Sequence, residues 1–245
     1  MENRQTQHRL SGKVAIVTGA SSGIGRAVAL DLASLSVKLV LVARRKSVLE
    51  ELQKQIGDCT IVQGDITDKD MPAKLLGIAL EIYGSCDIII HAAGILHSGK
   101  IEEVDIDDMC RMVHLNFEAS VRLSYTMLKH FKAVGSGHFV HLSSILGTKV
   151  RPGNGVYAGT KYAIEALVEA LRMELAGTKI KVSAVEPGVT ITELHNNIPV
   201  HPTEALGITT PLQPEDVASC IRFVLDQPDH IRIPVLMILP GEQSI

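Results

Sequence analysis

The stretch VAIVTGASSGIGRAVALDLASL, residues 14–35, holds three elements in succession: a β-branched apolar run, a glycine-rich turn and a helical pattern. Val14 to Thr18 has the composition of a buried strand. Gly19 permits a tight turn, Gly23 lets the backbone approach a pyrophosphate, and Gly25 lets the helix pack closely on what precedes it. The first turn of that helix offers free N–H groups to an anion. The spacing is G-x-x-x-G-x-G rather than G-x-G-x-x-G. Its place between a strand and a helix favours nucleotide binding over a plain flexible turn.

Further along, short β-rich runs alternate with amphipathic helical patterns. After VAIVT come KLVLVA, TIVQG, CDIIIHA, HFVHLS, KVSAVE and PVLMIL. Seven strands separated by helices predict an α/β fold, a Rossmann-type doubly wound parallel sheet with helices on both faces. A nucleotide then lies at the carboxyl edge, where the strand order reverses. The length of 245 residues suits one domain, and no linker or repeat divides it. Residues 1–9 read as a flexible tail. Residues 192–212 read as an irregular segment over the substrate, whose Ile198, Pro199, Val200, Leu206 and Ile208 make either an apolar lid or a plain surface loop. A late helix starts at Gln213 to Asp216 with proline in its first turn.

A second constellation lies in SSILGTKVRPGNGVYAGTK, residues 143–161, where Ser144, Tyr157 and Lys161 stand in order. A phenol titrates near pH ~10 and needs a neighbouring cation to favour its anion. On a helix Tyr157 and Lys161 share one face at i,i+4, so the ammonium can act on the phenol and grip a sugar hydroxyl. Ser144, closing an apolar run, can hydrogen-bond a substrate oxygen. Alone, such a Tyr/Lys pair reads first as a solvated surface contact; the glycine loop and the other motifs reverse that reading.

With these motifs in place, the chain resembles the short-chain dehydrogenase/reductase family from Leu10 to about Leu239. The family pattern T-G-x-x-x-G-x-G matches Thr18, Gly19, Gly23 and Gly25, and its Ser and Tyr-x-x-x-Lys match Ser144, Tyr157 and Lys161. Asn116, in MVHLNFEAS, falls where the family places the asparagine of its tetrad. The resemblance implies that Asn116 shapes the helix backbone to hold a water in a proton relay. Ser21, Ser22 and Ile24 belong by the same token to the cofactor loop. In CDIIIHAAG the family's two asparagines are replaced by His91 and Ala92, while Ala93 and Gly94 remain. Small residues there still admit a cofactor, and His91 reads as a satisfied core histidine. Pro187 and Gly188 match the family's P-G turn, with Val189 and Thr192 resembling residues that hold the nicotinamide carboxamide. A plain proline-glycine loop fits the first two equally well.

Cofactor choice is read at the end of KLVLVARRK. Ala43 stands where NAD-preferring relatives carry an acid, and Arg44 and Arg45 follow, able to pair with a 2′-phosphate. NADP(H) is therefore expected over NAD(H), although two arginines also suit a solvated loop. Asp65, with Ile66 after it, resembles the family aspartate at the adenine edge and reads equally as a turn residue.

The implied reaction is reversible hydride transfer between the nicotinamide and a carbonyl or alcohol, with Tyr157 as proton donor or acceptor, Ser144 orienting the oxygen and Lys161 lowering the tyrosine pKa. The EPG turn, the TEL segment and the ending P-x-x-Q (Pro240 to Gln243) resemble the branch with serine and 3-hydroxy acid dehydrogenases. A 3-oxoacyl or steroid-type reductase is the alternative, and a non-catalytic NADP(H) sensor or scaffold is the alternative of another class. The resemblance further implies a homodimer or homotetramer built on the segment DMCRMVHLNFEASVRLSYTMLKHF and the helix after Tyr157; a thick monomer core is the other reading.

Composition sets bounds. A formal net charge of −3 with charges interspersed argues against a nucleic-acid partner. Cys59, Cys86, Cys110 and Cys220 have no metal or disulfide spacing, which suits reduced thiols in the cytoplasm. No apolar run approaches the ~18 residues of a membrane span. His138 and His141 fall on opposite faces of one strand, and His195 and His201 lie in the irregular segment, so no essential metal is expected.

Overall fold

The computed structural model describes residues 8–196, 198 and 200–244. Most of the expected tail, residues 1–7, lies outside them, as does Pro199 of the lid. Seven parallel strands, β1 (Val14–Thr18), β2 (Lys38–Ala43), β3 (Thr60–Gln63), β4 (Ile88–His91), β5 (Ser136–Leu142), β6 (Lys179–Pro187) and β7 (Val235–Ile238), form one sheet in the order β3-β2-β1-β4-β5-β6-β7. The order reverses between β1 and β4. This is the architecture predicted from the alternating pattern.

Side chains of a strand alternate between faces, and both faces are buried, which is why β1 reads as an unbroken apolar run. Ala15 and Val17 join one apolar layer with α1 (Gly23–Ser34), α2 (Lys46–Ile56) and, late in the chain, α8 (Pro214–Leu225). Val14 and Ile16 join the opposite layer, against α3 (Met71–Tyr83), α5 (Ala119–Val134) and α6 (Gly155–Glu174). Pro214 opens α8, where Gln213 and Asp216 form a reciprocal cap.

The segment read as one helix around Asn116 is interrupted. It comprises α4 (Ile106–Val113), a π-helical turn at His114–Glu118, and α5. Such a turn carries an extra residue, and here the buried Asn116 lies inside it. The irregular segment contains a 3-10 turn at Glu193–His195 and a short helix α7 (Pro202–Ala205), its ends drawn together by a bridge between Thr190 and Leu212. Leu194 and Ile198 pack against Leu96, Met112 and Tyr157, whereas Val200 is exposed.

Candidate active site

At the carboxyl edge of the sheet a cleft of about 770 Å³ runs from the turn after β1 to the irregular segment that begins at Thr192. Every residue singled out above for cofactor contact lines it, as do Ser144, Ile198, Val200 and Leu206, whereas Asn116 and Ile208 do not. Tyr157, Ser144 and Lys161 stand at one end, and Gly19 to Gly25, Arg44, Arg45, Asp65 and Ile66 at the other. Gly94, Pro187, Gly188, Val189 and Thr192 lie on its walls.

The three glycines differ in what they permit. Gly19 has φ +68°, and a Cβ on it would stand 2.8 Å from the Ala93 nitrogen; on Gly25 it would meet the Gly19 carbonyl oxygen at 2.4 Å. Both therefore serve close backbone packing. Gly23 has φ +50°, and a Cβ there would press on Thr192 at 3.0 Å, narrowing the cleft. The first turn of α1 has neither a side-chain cap nor an acidic residue. Its N–H groups remain available to an anion, so the donor set fits a bound pyrophosphate.

Arg45 is already engaged: its guanidinium contacts Glu193 Oε2 at 2.9 Å and donates to Ser21 Oγ at 3.1 Å. Arg44 makes no hydrogen bond or ion pair through its guanidinium among the described residues. Asp65 accepts from the Thr67 N–H (2.9 Å) and hydroxyl (2.8 Å), which is the turn role left open above. Burial pushes its carboxyl up, but these bonds outweigh it and hold the pKa below the ordinary value.

Tyr157 and Lys161 do share one face of α6, both buried. The expected depression of the phenol is absent. Burial pushes Tyr157 up to about 12, and the Ser144 hydroxyl beside it offsets this only in part. The Lys161 ammonium lies 5.7 Å from the phenol ring centroid and donates to the Leu142 carbonyl at 2.7 Å, so desolvation of the phenolate dominates. Burial also lowers Lys161 to about 8, against the opposing charge of Glu165.

Behind the cleft, Asn116 accepts from the Ile95 N–H at 2.9 Å and donates to the Ile95 carbonyl at 2.9 Å. It thus ties the loop after β4 to the π-helical turn. The His91 substitution resolves into a buried chain of bonds. Ser120 Oγ donates to the Asn116 carbonyl (2.7 Å), so His91 Nε2 donates to Ser120 Oγ (2.8 Å). His91 Nδ1 then accepts from Thr18 Oγ1 (2.8 Å), whose oxygen accepts from the Ala93 N–H (3.2 Å). This assigns the neutral Nε2–H tautomer. Burial, and secondarily the Lys161 charge, lower the pKa of His91 to about 3. One histidine therefore joins β1, the loop after β4 and the helix of Asn116.

In the sequence Gln243 reads only as part of the P-x-x-Q ending. Its Oε1 accepts from the Val189 N–H at 2.8 Å, closing the chain's end over the turn after β6. His195 and His201 meet edge to face, centroids 5.1 Å apart, within the irregular segment after β6. Among the described residues, no helix is long and apolar enough to cross a membrane.

The chain is 36% identical to a glycine betaine reductase of Emericella nidulans over 96% of its own length, although it spans only 19% of that protein. It is also 36% identical to an uncharacterised oxidoreductase of Listeria monocytogenes, covering 96% of this chain and 98% of the other. Among solved structures, the closed form of a serine dehydrogenase complexed with NADP+ superposes with a TM-score of 0.89 at 26% identity, covering 95% of this chain and 96% of that one. A 3-ketoacyl-(acyl-carrier-protein) reductase from Brucella melitensis complexed with NADH gives 0.87 at 29% identity, with 95% and 99% covered. Residues 13–202 match the short chain dehydrogenase family, and the chain is an oxidoreductase belonging to it.

Proposed function

We propose that this oxidoreductase transfers hydride between NADP(H) and a small carbonyl or secondary alcohol substrate, working as a carbonyl reductase. The observation that carries the reading is the convergence of Ser144, Tyr157 and Lys161 on the same cleft as the uncapped first turn of α1. The bound nicotinamide supplies or accepts the hydride. Gly23 and the α1 N–H groups hold the pyrophosphate, and Lys161 the nicotinamide ribose. Ser144 orients the substrate oxygen and Tyr157 donates the proton to it. A phenol raised to about 12 stays protonated across neutral pH, the state a proton donor to a carbonyl oxygen must have. Asn116 keeps the π-helical turn and the loop after β4 in register behind Lys161.

NADP(H) is preferred in this reading because Ala43 leaves no carboxylate at the end of β2 and Arg44 is unengaged at the cleft. The serine dehydrogenase neighbour with NADP+ is in keeping with that choice, while the reductase with NADH makes the preference one to be measured. Leu194 and Ile198 over Tyr157 suit an aliphatic substrate. A homodimer or homotetramer belongs to the same proposal, since Tyr125 on α5 and Tyr162 and Met173 on α6 leave apolar surface exposed.

The test is oxidation of NADPH, and separately of NADH, with a panel of small aldehydes, 3-oxo acids, 3-oxoacyl thioesters and ring ketones. Turnover of one class with NADPH supports the reading. Cofactor binding with no turnover of any class favours a sensor or scaffold instead.

A further inference from the structure

Beneath Lys161 lies a pair of carboxyl groups that the proposed reaction does not use. Glu165 follows Lys161 by one helical turn on α6, and Glu186, next to last on β6, is 1% exposed. Their carboxyl groups lie within hydrogen-bonding reach of each other. The Ser143 N–H donates to the Val185 carbonyl at 2.8 Å, which sets the end of β5 against the end of β6. Gly147 closes the space: a Cβ on it would stand 2.8 Å from Ser143 Oγ and 3.2 Å from Glu165 Oε1.

Three buried polar atoms of this cluster, Ser143 Oγ, Glu165 Oε1 and Glu186 Oε2, have no well-formed hydrogen bond, although the Ser143 hydroxyl lies close enough to Glu165 to favour its ionised form. Neither carboxylate forms an ion pair with a lysine, arginine or histidine within 4.0 Å among the described residues. Two ionised carboxylates are acceptors only, and like charges at this range resist joint ionisation. One proton makes one of them a donor and resolves the contact, as in paired catalytic carboxyls elsewhere.

We propose that the one proton shared by the pair is carried by Glu186, and that the negative charge left on Glu165, one helical turn from Lys161, is the counter-ion that keeps the buried ammonium charged. The inference rests on the reading of Lys161 given above and makes both acids positioning residues. Among the described residues, the other titratable groups facing Lys161 supply no alternative anion: Tyr157 on α6 is a neutral phenol, and His91 on β4 and His141 on β5 are held neutral by burial. The α5 side contributes the neutral Ser120 and Ser124, which bond these two histidines. Burial raises both acids, Glu186 to about 7 with Glu165 as its next cause, in keeping with a shared proton.

The test is an NMR titration of the side-chain nitrogen in isotope-labelled lysine, the Lys161 resonance being assigned by its loss in Lys161→Met. It is run on the wild type, Glu165→Gln and Glu186→Gln, beside the pH dependence of kcat/KM. Removing the Glu165 charge should lower the Lys161 titration, and the basic limb of kcat/KM with it, by about one pH unit or more. Glu186→Gln should not lower it, because the amide donates to Glu165 and leaves that acid ionised. Infrared spectra near pH ~6 should show a protonated carboxyl in the wild type that is missing from Glu186→Gln. An unmoved Lys161 titration in Glu165→Gln, or no protonated carboxyl in the folded wild type, overturns the inference. A shifted titration in a protein that turns over no carbonyl would uphold it and refute the proposed function.

Discussion

Replacing His91 by leucine should destabilise the protein at neutral pH and do so progressively less as the solution is acidified. The ring is 3% exposed and bridges Thr18 and Ser120 with two bonds of 2.8 Å. Leucine has a similar volume, so the loss is chiefly polar. The Thr18 hydroxyl proton is left without its acceptor, while Ser120 still donates to Asn116. One orphaned buried donor costs about 1–3 kcal/mol. The pH dependence follows from the lowered pKa. Folded His91 titrates at about 3, against an unfolded value near ~6.5. Between these the unfolded chain binds the extra proton, so the stability the histidine contributes is complete above the unfolded value and is lost as pH falls. At about pH 5 the wild type has forfeited about 2 kcal/mol through this one group, and the leucine variant forfeits none of it. Urea unfolding at about pH 7.5 and again at about pH 5 measures the difference. The penalty should shrink to near zero, or reverse, at the lower pH. A penalty equal at both values would mean that His91 is not held neutral, and the bond chain assigned above would be wrong.

Other substitutions test other parts of the account. Gly25→Ala drives a Cβ into the Gly19 carbonyl oxygen at 2.4 Å and should abolish cofactor binding or folding, read by NADPH titration and circular dichroism. Gly77→Ala, on the exposed side of α3 with nothing within 4 Å of the new Cβ, should instead stabilise the protein by about 0.5–1 kcal/mol in urea unfolding. Glu193→Gln releases Arg45 from an exposed ion pair of about 0.2–1 kcal/mol and should raise the affinity for NADPH over NADH by up to about fivefold, measured by fluorescence titration. Arg44→Ala should lower the same ratio by about tenfold or more through loss of a charge-assisted contact; an unchanged ratio would remove the case for NADP preference.

Much of the fold is local in origin, and that part was legible. The seven apolar runs and the glycine turn after β1 follow from periodicity and from conformations that only nearby residues decide. The shared face of Tyr157 and Lys161 follows from helical spacing alone. What the sequence concealed depends on residues brought together from far apart. His91 reads as an isolated departure from N-N-A-G until Thr18 and Ser120 lie on either side of it. Glu165 and Glu186 look like one surface acid and one turn residue until β6 is laid beside α6. Gln243 meets Val189 only once the chain after β7 has returned to the cleft, and Arg45 meets Glu193 only once the segment after β6 is laid against the end of β2. The phenol's high pKa was missed for a different reason. Spacing reveals the neighbouring cation but not the depth of burial, which here is the larger effect.

The central claim is that Tyr157 gives a proton to a carbonyl reduced by NADPH at this cleft. Steady-state oxidation of NADPH by wild type and Tyr157→Phe, on whichever carbonyl the panel identifies, tests it most directly, with NADPH affinity measured in parallel. The account predicts that the phenylalanine variant binds NADPH as the wild type does and loses turnover by at least about a hundredfold, the scale of a general acid. Undiminished turnover with normal NADPH binding would contradict it.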